Sequence, residues 1–135
     1  MAQELLAEEM TARPVFDSPA AVSDFLKLHF AGQPYFVVMY LDAQHRLISI
    51  EDLFRGTVTP ASVYPREIAR RALHHHAIAL VVAHNHPNGE VRPSHADEVH
   101  TKALRTALAL LDVRVLDHLV IAASQATSFA QHGVM

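Results

Sequence analysis

Cysteine is absent from all 135 residues. Disulfide scaffolds and thiolate-held zinc are thereby excluded, and any metal must be bound by histidine and carboxylate. An excess of positive charge is also missing: 11 Lys and Arg stand against 14 Asp and Glu, a formal net charge of −3. That balance gives no bulk attraction toward nucleic acid or an anionic membrane. Arg66, Arg70 and Arg71 do cluster, with the spacing of the wet face of a helix. No apolar stretch approaches the roughly 18 residues that span a bilayer. The opening MAQELLAEEMTARP is acidic and lacks the apolar core of a secretion signal. A cytoplasmic location is the expectation.

What is present is an ordinary globular balance, 50% apolar and 19% charged, in a length that suits one hydrophobic core. Residues 1–15 read as a loosely ordered leader and 16–135 as one domain. Ser18 is placed to cap a helix that begins at Pro19, with Val22, Phe25, Leu26 and Phe30 as its apolar stripe. Residues 35–42 and 46–54 read as an antiparallel hairpin, because the connection Ala43-Gln44-His45 is too short for a crossover. A second helix spans 65–76 with Ile68, Ala72 and Leu73 inward, followed by an apolar strand at 77–84 that is covered on both faces. A long helix at 94–111, buried through Val99, Ala103, Leu104, Ala107 and Leu111, precedes a last strand at 113–122. This order predicts an α/β fold, a mixed sheet flanked by helices.

The segment HNHPNGEVRPSHAD, residues 84–97, concentrates the polar chemistry. A bare His-x-His proves little, since 11 histidines make about one such pair expected by chance. Position says more. His84 and His86 lie where a buried strand runs out, and side chains two apart on a strand point to one side. Pro87 ends the ladder, Asn88-Gly89 turns the chain, and open α/β sheets place their sites at such strand ends. Ser94 and Asp97 then open the long helix. They form either a capping box or, with Asp97 on the first helical turn, a carboxylate facing the two imidazoles. Catalytic zinc needs three protein ligands and one open position, which two histidines and a carboxylate would supply.

His84-x-His86, seven residues, Ser94, two residues, Asp97 resembles the JAMM motif of the MPN/JAB metallopeptidases, a composite expected by chance in roughly 0.002 chains of this composition. LDAQHRLI, LFRGT, VYPREIARRAL, AHNHPNGEVRPSHAD and VRVLDHL are similar to the RadC-type branch of that family, over about residues 20–133. The resemblance implies a cytidine deaminase-like MPN/JAB architecture and a zinc-dependent peptidase or isopeptidase that uses a metal-activated water. His84, His86 and Asp97 would hold zinc, and Ser94 would steady the oxyanion of the tetrahedral intermediate. Longer RadC relatives carry a helix-hairpin-helix segment ahead of this domain, and the expectation here is a short form without it.

One departure stands out. The family's general-base Glu falls at Pro34, and no Glu occurs between Glu9 and Glu51. Glu51 is the nearest acid, although the motif does not point to it. A zinc-bearing pseudoenzyme or binding module is therefore the alternative to an active hydrolase; a DNA-repair factor is disfavoured by the acidic charge. The expected partner is a peptide or protein substrate, with neither strong nucleic-acid binding nor membrane association, and a homo-oligomer is an open alternative. Asp117 and His118, adjacent on the last strand, cannot both reach one ion, so one of them is expected to hydrogen-bond behind the site or in the core. His74, His75 and His76 suit the negative end of a helix dipole, His95 and His100 read as solvated helix positions, and Arg92-Pro93 is a candidate substrate contact.

Overall fold

Alternation along the strands decides the layering. In the strand β1 (Tyr35–Leu41) the side chains of Val37, Met39 and Leu41 enter one apolar cluster, while Phe36, Val38 and Tyr40 enter another. The strand β3 (Ala79–Asn85) divides likewise, Ala79, Val81 and Ala83 to one side and Leu80 and Val82 to the other. Both strands are therefore central, as a continuous apolar run requires. The computed structural model describes residues 15–16, 18–30, 35–55, 65–85, 95–122 and 125–133. The expected leader, but for Val15, lies outside them.

The remaining elements are the helix α1 (Pro19–Phe30), β2 (Leu47–Arg55), α2 (Pro65–His74), α3 (His95–Ala109), β4 (Arg114–Ala122) and β5 (Gln125–Ser128). The sheet order is β2-β1-β3-β4-β5. All neighbours run antiparallel except β3 and β4, which are parallel and are joined through α3, as a parallel pair demands. The fold is thus the mixed α/β sheet with flanking helices that the pattern predicts. The β5 strand, with its short polar sequence QATS, is an addition to that prediction.

Helices cover both faces. On one, α1 packs Val22 and Leu26 onto β1, β3 and β4 together with Phe16. Ser18 caps α1 as expected, its Oγ accepting the Ala21 amide at 3.2 Å. On the other, α2 contributes Ile68 and Ala72, and α3 contributes Leu104 and Leu108. Burying each of the larger aliphatic side chains, Val22, Leu26, Ile68, Leu104 and Leu108, is worth about 1.5–3 kcal/mol, so these few residues account for the docking of each helix. Four expected core positions are corrected: Leu73, Val99 and Leu111 are 54%, 50% and 39% exposed, and Ala103 is exposed as well. In α3 the buried line is Thr101, Leu104 and Leu108, whose spacing of three and four follows the helical repeat.

The β1–β2 turn is built by Asp42. Its Oδ1 accepts the amides of Gln44 and Arg46, both at 2.9 Å, and His45 adopts a left-handed φ of 60°. On the far side of the sheet order, Leu80 pairs with Val115 while Val81 pairs with Asp117, so Leu116 and Asp117 share one place on β4. This one-residue shift matters for the site. Val115 faces α2 and α3, and with strict alternation Asp117 would face them too; instead His118 does.

Candidate metal centre

His84 follows Leu80 and Val82 on the α3 side of β3, one residue before the strand ends at Asn85. It is 8% exposed, and both ring nitrogens have defined neighbours. Nδ1 lies 2.8 Å from Nε2 of His118, and Nε2 lies 3.7 Å from Oδ2 of Asp97. Asp97 stands in the first turn of α3, where the helix dipole favours a carboxylate. The carboxylate read from sequence as either cap or ligand thus faces the imidazole read as its partner. His86 and Ser94, the other expected site residues, lie outside the described residues, as do Pro34, Arg92 and Pro93.

The facing pair fits a metal. Its 3.7 Å separation exceeds hydrogen-bond reach. It is close to the roughly 3.4 Å between an imidazole nitrogen and a carboxylate oxygen on one tetrahedral zinc, given bond lengths of about 2.0–2.2 Å. Among the described residues no group of three histidine or carboxylate side chains surrounds one point, so the described part of the expected ligand set is this pair.

Behind the pair is a polar chain that the apolar pattern of the sequence does not reveal. Thr101, one turn along α3 from Asp97, bonds the Asp97 carbonyl at 2.8 Å and His118 Nδ1 at 2.6 Å. Thr101 and His118 are only 2% and 4% exposed. The His118 ring stacks on Phe129 at 4.4 Å and meets Phe36 edge-on at 6.3 Å, while Phe36 lies parallel to His84 at 6.3 Å. Asp117 fixes the backbone here: Oδ1 accepts the amides of His118 and Ala130, and Oδ2 accepts the Ser128 hydroxyl at 2.5 Å. Asp117 and His118 therefore both have work, one holding the turn after β5 and the other holding His84. The only sequence signal for Thr101 is its place four positions after Asp97, on the same helical face, which a solvated threonine would share.

Glu51 is committed elsewhere. Its carboxylate receives Arg71 through Nε at 3.0 Å and through a second guanidinium nitrogen, and His75 Nε2 lies at 3.0 Å. The Arg71 hydrogen bonds, against the opposing effect of burial and with help from His75, hold the Glu51 carboxyl down at about 2. The buried Tyr40 hydroxyl is pushed up, by burial first and by the Glu51 charge second. Arg71 is therefore no wet-face arginine, whereas Arg70 is, bonding exposed Glu67. Of the three histidines at the end of α2 and just beyond it, His75 is the half-buried one; His74 and His76 are exposed. The His95 side chain is 90% exposed, as expected of a solvated position.

A family model described as the RadC-like JAB domain matches residues 16–134. The chain belongs to that family. Among its relatives are UPF0758 proteins of Variovorax paradoxus (strain S110) and Acidovorax sp. (strain JS42). They are 54% and 55% identical over 137 aligned positions that take in the whole of this chain. The match covers 61% and 58% of those proteins, so the chain spans about three-fifths of their length. No described helix is long and apolar enough to cross a membrane.

Proposed function

We propose that the protein is a zinc-dependent metallohydrolase acting on a peptide or isopeptide bond of a peptide or protein substrate. In this reading His84, His86 and Asp97 are its metal ligands, and Ser94 would steady the oxyanion of the tetrahedral intermediate. The observation that carries this reading is the approach of His84 Nε2 to Asp97 Oδ2 at 3.7 Å, from two elements 13 positions apart in sequence. Bound zinc would supply a Lewis acid and a water acidified to a pKa of roughly 7. The chain's own residues prepare the place. The N-terminal turn of α3 presents the Asp97 carboxylate, His118 fixes the His84 ring, and Phe36 lies parallel to that ring. Metal analysis of the protein purified without chelators should give close to one zinc per chain, and His84→Ala should abolish it. Wild-type protein free of zinc under those conditions would overturn the reading.

A second reading, a zinc-bearing module that binds its partner without cleaving it, rests on Pro34 and Glu51. Pro34 has no group to move a proton, and Glu51, held down at about 2 by Arg71, is a poor base at neutral pH. Under this reading the wild type has very weak peptidase activity, and Pro34→Glu raises it by up to about 10²- to 10⁴-fold, the usual range for general acid–base help. Vigorous wild-type cleavage would eliminate it.

A further inference from the structure

The hydrogen bonds behind His84 have a direction. A carbonyl oxygen can only accept, so at 2.8 Å Thr101 donates its single hydroxyl proton to the Asp97 carbonyl. At the 2.6 Å contact with His118 the Thr101 oxygen must then accept, which places a proton on His118 Nδ1. A neutral His118 keeps its lone pair on Nε2, and that nitrogen accepts from His84 Nδ1 at 2.8 Å. Neutral His84 therefore carries its proton on Nδ1 and its lone pair on Nε2, the nitrogen that faces Asp97.

We propose that Thr101 and His118 are positioning residues that fix His84 in the Nδ1–H tautomer, making Nε2 its metal-donor atom. The choice of donor atom rests on the function proposed above, whereas the tautomer stands without any metal. Three features keep the chain of bonds from rearranging. Phe129 and Phe36 hold the His118 ring on two sides, Asp117 holds its backbone amide, and Thr101 shares the helical turn that carries Asp97. The other tautomer of His84, with its proton on Nε2, would put two lone pairs into the 2.8 Å gap with His118, and a ring turned over would put a carbon there in place of the donor. The same device, one ring nitrogen protonated and hydrogen-bonded so that the other is left unprotonated, orients histidines at metal sites generally.

Nitrogen-15 NMR of the metal-free protein tests this, because long-range couplings to the ring carbon protons distinguish a protonated from a bare ring nitrogen. The expected wild-type result is His84 protonated at Nδ1 and bare at Nε2, with His118 the same. Thr101→Val keeps the shape and removes the acceptor. The His118 proton should move to Nε2, donate to His84 Nδ1, and drive the His84 proton to Nε2. Zinc affinity should fall by about 10- to 100-fold, the usual effect of losing such a support. Thr101→Ser should restore both signals and affinity. His118→Phe, which keeps a ring beside Phe129, should likewise depopulate the Nδ1–H form of His84. A merely structural Thr101 would change the melting temperature and leave the ring nitrogens alone. Wild-type His84 protonated at Nε2, or Thr101→Val without a change of tautomer, would overturn the proposal. The expected tautomers in a protein that takes up no zinc would uphold it and remove the metal-binding function instead.

Discussion

Two histidine–carboxylate clusters lie on the α2/α3 side of the sheet, and they are built to opposite ends. At Glu51 the acid meets a guanidinium, a permanent cation whose planar fork takes both carboxylate oxygens, with His75 as a further contact. At Asp97 the acid faces an imidazole nitrogen at 3.7 Å, across a gap set by two backbone elements. A guanidinium closes the first cluster and lowers the pKa of its acid. An imidazole is a conditional partner, with a nitrogen that bonds a proton or a metal. A carboxylate beside arginine is thus a fastener between β2 and α2, and a carboxylate beside a held histidine is a place for something to bind.

The contrast breaks most readily at the fastener. Glu51 and Arg71 have side chains 19% and 25% exposed, between the surface and the interior. Arg71→Ala should therefore cost about 2 kcal/mol of stability, between the values for exposed and buried pairs. For a domain this size that lowers Tm by roughly 5 °C, measurable by thermal unfolding. Zinc uptake should not change; if it falls with stability, the two clusters are not independent.

Acid sharpens the same difference. Glu51 titrates at about 2 in the folded protein against an ordinary 4.5. Its folded value is depressed, so its contribution is fully present above pH 4.5 and is lost as pH falls through about 2. Urea unfolding at pH 5 and pH 2.5 should show a smaller loss for Arg71→Ala than for wild type. Equal losses would mean that Arg71 does not set the Glu51 pKa.

The smallest effect on stability should come from Asp97→Asn, under about 0.5 kcal/mol, since Asn retains an accepting oxygen at the helix start. Its zinc affinity should nevertheless collapse, because the charge is gone. Unchanged affinity by metal titration would reduce Asp97 to a helix cap.

Much of this was legible in advance, for identifiable reasons. The helices and the four longer strands follow from apolar periodicity, and the facing of His84 and Asp97 from a strand end feeding a helix start. Other features have no local signature. Leu73, Val99 and Leu111 fit an apolar stripe as well as the true core positions do, and only the place where each helix lands on the sheet separates them. Thr101 is hidden because a buried polar residue looks, in sequence, like a wet one. The polar tetrapeptide of β5 forms a strand by pairing with Leu119–Ala122, a long-range contact that no local pattern encodes. The Arg71–Glu51 pair is 20 positions apart and equally silent.

Two residues of β4, Leu116 and Asp117, occupy the space opposite the single residue Val81. The strand therefore has a reading frame with one spare letter in it. Removing Leu116 would bring β4 back to strict alternation with His118 still turned toward Thr101 and Asp117 still holding the turn, so loss of that position spares the orientation of the site. Adding a residue between them and His118 would send that imidazole to the opposite face, into the layer packed by α1, and leave His84 unsupported. The site tolerates a shorter β4 better than a longer one.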